Sequence, residues 1–160
     1  MKNHILLLSL VLLPFLAASQ TVSYNFEDGD LSAWTQSAEG QWVITATNPI
    51  EGAKSLNHAQ GSAELPDRIS VELPAWSGNG GNITWRFKIR HRVNPTSGNH
   101  WGVFLSSDKD ATGESPNGYI VGVNLDGSDD LLRLYRVDNN TFVPILTTSL
   151  NWETQIGSTL

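Results

Sequence analysis

Arg86, Lys88, Arg90 and Arg92 stand at every second position of one short stretch. They are four of the ten Lys and Arg residues in a chain of net charge −6. On an acidic protein such a row could attract an anionic sugar or an anionic surface polymer. A plainer role weighs more: neighbouring strands can supply Asp or Glu partners, or the charges can discourage edge pairing. Trp101 and Tyr119 could add an aromatic platform for a sugar ring, or they could pack inward. Asp108-Lys109-Asp110-Ala111-Thr112-Gly113 copies the first half of a calcium loop, with oxygen ligands at alternate positions and then glycine. The match ends at Tyr119, where that loop requires a bidentate glutamate.

Catalytic patterns are missing. The four His residues are scattered and form no His-Glu-x-x-His pair. The chain has no Gly-x-Ser-x-Gly elbow. It has no cysteine, which excludes a disulfide scaffold, a thiolate zinc site and a thiol nucleophile. Gly78-Asn79-Gly80-Gly81 leads into a strand-like stretch, so no helix N-terminus waits there for a phosphate. The expectation is a non-enzyme. A net charge of −6 also argues against nucleic acid as a partner.

The elements that must position these residues follow from periodicity. Ile83, Trp85, Phe87 and Ile89 alternate with Thr84, Arg86, Lys88 and Arg90, which predicts a long strand over Asn82–Val93 with Trp85 and Phe87 buried. The same pattern predicts strands at Thr21–Glu27, Gln41–Ala46, Ser55–His58, Arg68–Leu73, Trp101–Ser107, Tyr119–Leu125, Leu131–Asp138 and Thr141–Ser149. Asp138-Asn139-Asn140 predicts a tight hairpin, since Asn tolerates positive φ. Leu31–Trp34 suggests a short turn, and no segment has the pattern of a capped amphipathic helix. Many short strands without alternating helices predict an all-β protein, an antiparallel two-sheet sandwich.

The start of the chain reads differently. A basic head, an aliphatic run over Ile5–Leu13, Pro14 and the small residues Ala17, Ala18 and Ser19 have the layout of a secretory signal. The apolar run is about a dozen residues, short of the roughly 20 that span a membrane. Cleavage after Ser19 would leave residues 20–160 as an exported, membrane-free domain, with cleavage after Ala18 the alternative. The stretch from Asn151 to Leu160 reads as another strand getting under way, which suggests a fragment whose polypeptide continues into further domains.

Phe26-Glu27-Asp28-Gly29-Asp30-Leu31-Ser32-Ala33-Trp34, followed by Gln41-Trp42, resembles the opening of concanavalin A-like jelly rolls, the MAM domains among them without their cysteines. Leu131-Leu132-Arg133-Leu134-Tyr135-Arg136-Val137-Asp138-Asn139-Asn140 resembles the strand–hairpin–strand of laminin-G-like sandwiches. The likeness covers most of residues 22–156 and extends to the N-terminal regions of exported multi-domain bacterial surface proteins. It implies a jelly-roll fold and a place for one structural calcium at Glu27, Asp28 and Asp30, against the plain alternative of a solvated acidic turn. The paired carboxylates of the glycosidases in this class, at Glu-x-Asp-x-x-Glu spacing, are absent. The resulting expectation is an exported, non-catalytic binding or adhesion module that recognises a glycan or a surface. A structural spacer domain and an accessory domain of a secreted hydrolase are the alternatives.

Overall fold

The computed structural model describes residues 21–59, 66–74, 82–91 and 93–156. The expected signal within residues 1–20, the glycine-rich stretch at 78–81, Arg92 and the last four residues lie outside these stretches. Eight strands are present among the described residues: β1 (Trp34–Gln36), β2 (Trp42–Thr45), β3 (Ser55–His58), β4 (Ile69–Val71), β5 (Trp101–Ser107), β6 (Gly118–Val123), β7 (Leu131–Asp138) and β8 (Thr141–Asn151). They form three antiparallel sheets, β1 with β4, β2 with β3, and the meander β5-β6-β7-β8. The protein is all-β. No helix among the described residues is long and apolar enough to cross a membrane.

The meander carries the core. Ile120 pairs with Tyr135 in register, and Val137 lies two residues further along β7, so all three point from one face. They are buried and pack with Phe104, Leu125 and Phe142. Gly102 of β5 and Gly122 of β6 are paired on the same face. A Cβ on either glycine would come within 3.3 Å of the Leu125 Cδ1. Two glycines in strand interiors thus make the trough into which the connection after β6 folds back.

That connection, Asn124 to Asp130, is closed by its own side chains. The Asn124 amide donates to Asp130 Oδ1 at 2.6 Å, and the Asp130 N–H donates back to Asn124 Oδ1 at 2.8 Å. Both residues have positive φ, 57° and 61°, a region that Asn and Asp enter at lower cost than most residues. The fully buried Tyr135 donates its hydroxyl to Asp126 Oδ1 at 2.8 Å. Arg133 reaches Asp129 through Nη1 at 2.7 Å and again through Nη2. The predicted hairpin between β7 and β8 is present, with Asn139 and Asn140 at φ 49° and 64°, the geometry that two-residue turns require.

The two small sheets are joined by polar side chains. Gln36 of β1 both donates to and accepts from the Trp42 backbone of β2, at 3.0 and 2.9 Å. His58 of β3 contacts Asp67, just before β4, at 2.5 Å, and Gln41 donates to the same carboxylate. The meander is tied in by Ser70 Oγ, which accepts from the Ala111 N–H at 2.8 Å, and by Arg68, which donates to the Gly113 carbonyl at 3.0 Å.

Three expectations are corrected. Thr21–Glu27 forms no strand, although Tyr24 and Phe26 pack against Trp34 at 5.0 and 5.5 Å between ring centroids. The stretch after Asn151 begins as one π-helical turn, Trp152–Ile156, rather than a strand. Its start is fixed by the Trp152 N–H donating to the Asp130 carbonyl at 2.7 Å, and Trp152 is buried. Asn82–His91 is not a strand either. Trp85 and Phe87 are 38% and 46% exposed rather than buried. Period two gives a segment two faces but supplies no neighbour, and an extended chain becomes a strand only when its backbone is paired.

Gly118 follows the loop before β6 at φ 157°, where an added Cβ would stand 2.0 Å from the Ser106 carbonyl oxygen. Gly118→Ala is therefore expected to cost at least about 3 kcal/mol and to lower the melting temperature sharply, whereas Gly98→Ala, with open space at the same position, changes stability by less than about 0.5 kcal/mol. Burial, then the bond to Asp126, pushes the Tyr135 hydroxyl up to about 12 from 10.0. A raised phenol pKa stabilises the fold fully below pH 10 and is lost as pH rises through the folded value. Absorbance titration is expected to show one phenolate appearing late, together with unfolding, and Tyr135→Phe to remove it.

Candidate functional site

The other face of the meander is where side chains meet solvent. Tyr119, Val121 and Leu134 point away from the core cluster, as their register with Arg136 and with each other requires. Two irregularities reshape this face. Between Phe104 and Ser106 the ladder skips Leu105, and between Pro144 and Leu146 it skips Ile145. Bulges of this kind bend an edge strand and re-aim a side chain. Leu105 and Ile145 both turn into an open groove of about 360 Å³, lined also by Ser106, Tyr119, Leu134, Ile83 and Trp85. Pro144, which has no N–H to give the ladder, sits beside the second bulge, a position that an edge strand tolerates.

Two aromatic rings define this groove. Tyr119 is 47% exposed, and Trp85 belongs to the extended segment Asn82–His91. At the rim, Arg136 stands opposite Tyr119 in register and is held by Asp138 through Nη2 at 2.7 Å and through Nε. The Asp138 carboxylate raises the Arg136 pKa, so the guanidinium stays charged. Apolar walls, two aromatic rings, two hydroxyls and an arginine–carboxylate pair are suited to a ligand with an apolar face and a polar edge.

Of the predicted aromatic pair, only Tyr119 belongs to this groove. Trp101 stacks edge-on against Trp152 at 4.7 Å and closes the end of the sheet. The Nε1 atoms of both rings are buried, so neither N–H is open to a ligand.

The basic row is only partly gathered. Arg90 donates to the carbonyls of Asn48 and Pro49 at 2.9 and 3.3 Å. Lys88 pairs with Glu51 at 2.7 Å, with both side chains largely in water. Arg86 is exposed, and Arg92 lies outside the described residues. The row therefore anchors its segment to the 48–51 loop at one end and offers charge at the other.

The acidic turn is also divided. Glu27 turns its carboxylate to the Ala53 N–H, at 3.0 and 3.1 Å, and to the Lys54 N–H at 3.4 Å. It fits there because residue 52 is glycine: a Cβ would stand 1.9 Å from Glu27 Oε1. Asp28 and Asp30 line a separate small cleft with Ser23, Tyr24, Asn25, Phe26 and Trp34. Asp28 accepts from the Asp30 N–H, and Asp30 from the Ser32 N–H and hydroxyl, which hold the Asp30 carboxyl below its usual range. Asp108 and Asp110 are likewise held low by bonds from Asn117 and Thr112. Among the described residues no three His, Cys, Asp or Glu side chains converge as a metal would need. The Glu27 carboxylate is thus engaged by the 53–54 amides, apart from the cleft that Asp28 and Asp30 line.

No family model, no curated protein and no solved structure matches this chain.

Leu105, Ser106, Leu134, Ile145, Arg136 and Asp138 were not singled out by the sequence. A signal for them existed. Gly118–Val123 is apolar on both faces, so each face has something to cover. The bulges themselves leave no mark in composition. Glu27→Ala is expected to destabilise the protein by about 1–2 kcal/mol through loss of the charge-assisted bonds to residues 53 and 54, with the same melting-temperature shift with and without EDTA. A wild-type melting temperature that falls on EDTA and recovers on calcium would place an ion at the turn after all.

Proposed function

We propose that this chain is an exported, non-catalytic binding or adhesion module, a jelly-roll sandwich of concanavalin A-like type that recognises a glycan. The observation that carries this reading is the exposure of Trp85 and Tyr119 together in one open groove. A sugar ring has an apolar face of C–H bonds and a rim of hydroxyls. The two rings and Leu134 suit the first. Ser106, the Tyr119 hydroxyl and the Arg136–Asp138 pair suit the second, because a fixed arginine–carboxylate pair offers donors and acceptors side by side. This moves the binding surface away from the basic row, which keeps at most a supporting charge. Export rests on the signal-like start, and the non-catalytic role on the missing catalytic patterns.

A structural role within a larger surface protein is the second reading, favoured by Leu146, Ile145 and Ile83, each at least half exposed around the groove. Apolar area of this kind suits a neighbouring domain.

A glycan array on residues 20–160, followed by titration of Trp fluorescence, separates the two. The expected result is a saturable hit, weakened about 10-fold or more in Trp85→Ala and Tyr119→Ala and unchanged in Arg86→Ala. Both rings are partly exposed, so the variants are expected to remain folded. No saturable hit, or a hit retained by both variants, overturns the glycan reading in favour of the structural one.

A further inference from the structure

We infer that Asn82–His91 is a docking strand, which pairs edge to edge with a partner polypeptide strand whose side chains alternate between apolar and acidic. The segment has the side-chain pattern of a strand and the environment of none. Ile83 and Trp85 turn toward the meander, where they form one wall of the groove. Thr84, Arg86 and Lys88, on the opposite row, are exposed. Among the described residues this segment makes no backbone–backbone hydrogen bond. Its anchors among the described residues are side chains, Arg90 on the Asn48 and Pro49 carbonyls and Lys88 on Glu51. Every residue from Asn82 to Lys88 is exposed, so the free peptide groups are hydrated and open to a partner.

The chemistry of the partner follows from the two rows. A strand added in register lays alternate side chains over the groove side and over the basic side. On the groove side it would lie beside Ile83, Trp85 and Phe87, which are 53%, 38% and 46% exposed, and this favours apolar residues. On the other side it would meet Arg86 and Lys88, which favours Asp or Glu directly across. Glu51 already shows the preference on Lys88. With the two side chains 64% and 71% exposed, that pair is worth little and can be exchanged. The inference does not rest on the glycan reading: the two share Trp85, but the backbone and the basic row serve this inference alone and Tyr119 the glycan reading alone.

The test uses a labelled, terminally capped peptide of alternating Glu and Val, about nine residues long, and its Lys-Val counterpart. Binding to the 160-residue protein is followed by fluorescence anisotropy. Amide exchange is followed by mass spectrometry over residues 82–91. The expected result is binding of the Glu-Val peptide about 10-fold or more tighter than the Lys-Val peptide, with new protection confined to 82–91. The Arg86→Glu/Lys88→Glu double variant is expected to reverse the preference, and Tyr119→Ala to leave it unchanged. Equal binding of both peptides, binding without protection of 82–91, or binding of neither would overturn the inference, the last leaving the basic row as a guard against edge pairing. Protection that grows with protein concentration alone would name a second copy as the occupant and overturn the partner chemistry.

Discussion

The hydrogen bond from Tyr135 to Asp126 has a 2.8 Å span and a large consequence. It lets a phenol sit fully buried in the centre of the meander, and it draws the β6–β7 connection across that sheet's core face. Leu125 follows Asn124 into the trough above Gly102 and Gly122, while Asp129 receives Arg133. The sheet is therefore covered on this side largely from within its own sequence. An unpaired phenol at that depth would cost more than the bond contributes, so loop and sheet hold each other in place. The Asp129 carboxyl is held below its usual range chiefly by Arg133, with burial opposing. That interaction supports the fold at neutral pH and is lost as pH falls through the lowered value.

Covering one face from within leaves the other face to be covered from elsewhere. Val123 and Trp152 are buried at one end, where Trp101 stacks on Trp152. Toward Tyr119, Ile145 and Leu146 the cover thins, and among the described residues only Ile83 and Trp85 reach across. The bulges at Leu105 and Ile145 sit on the two outer strands of the meander and turn both side chains toward the same opening. A sheet that ended its exposure for stability alone would have polar residues here. Apolar and aromatic residues around this opening are the feature on which the proposed binding role rests.

Much of the meander was legible in the sequence. Trp101–Ser107 and Leu131–Asp138 have the bounds that alternation and turn residues gave them, because each strand finds its neighbour across a short connection. The Asn139-Asn140 turn was legible for the same local reason. Asn82–Val93 had the strongest alternation, and Asn82–His91 still forms no ladder among the described residues, since pairing is a property of two segments and only one was visible in the pattern. Trp85 was assigned to a core on the strength of its row. It does face the sheet, but no second layer closes over it among the described residues. The groove was not legible, because bulges arise from a mismatch between two strands and neither strand announces it alone.

The divided fate of the acidic groups shows why residue type is a weak guide to a site. Glu27, Asp28 and Asp30 are close in sequence, yet Gly52 admits the Glu27 carboxylate to the 53–54 amides and so pulls it away from the other two. Asp108 and Asp110 have the spacing of calcium ligands and are satisfied by Asn117, Thr112 and Gly113. In each case backbone N–H groups within reach compete for the same oxygens, and a short acidic side chain takes the nearest donor. The basic row has no such competitor close by. Arginine and lysine donate only, and their acceptors must come from other segments. Arg90 and Lys88 found theirs in the 48–51 loop, while Arg86, one turn of the pattern earlier, still faces solvent. Charge that cannot be satisfied locally is what a chain of this sign has left to offer a partner.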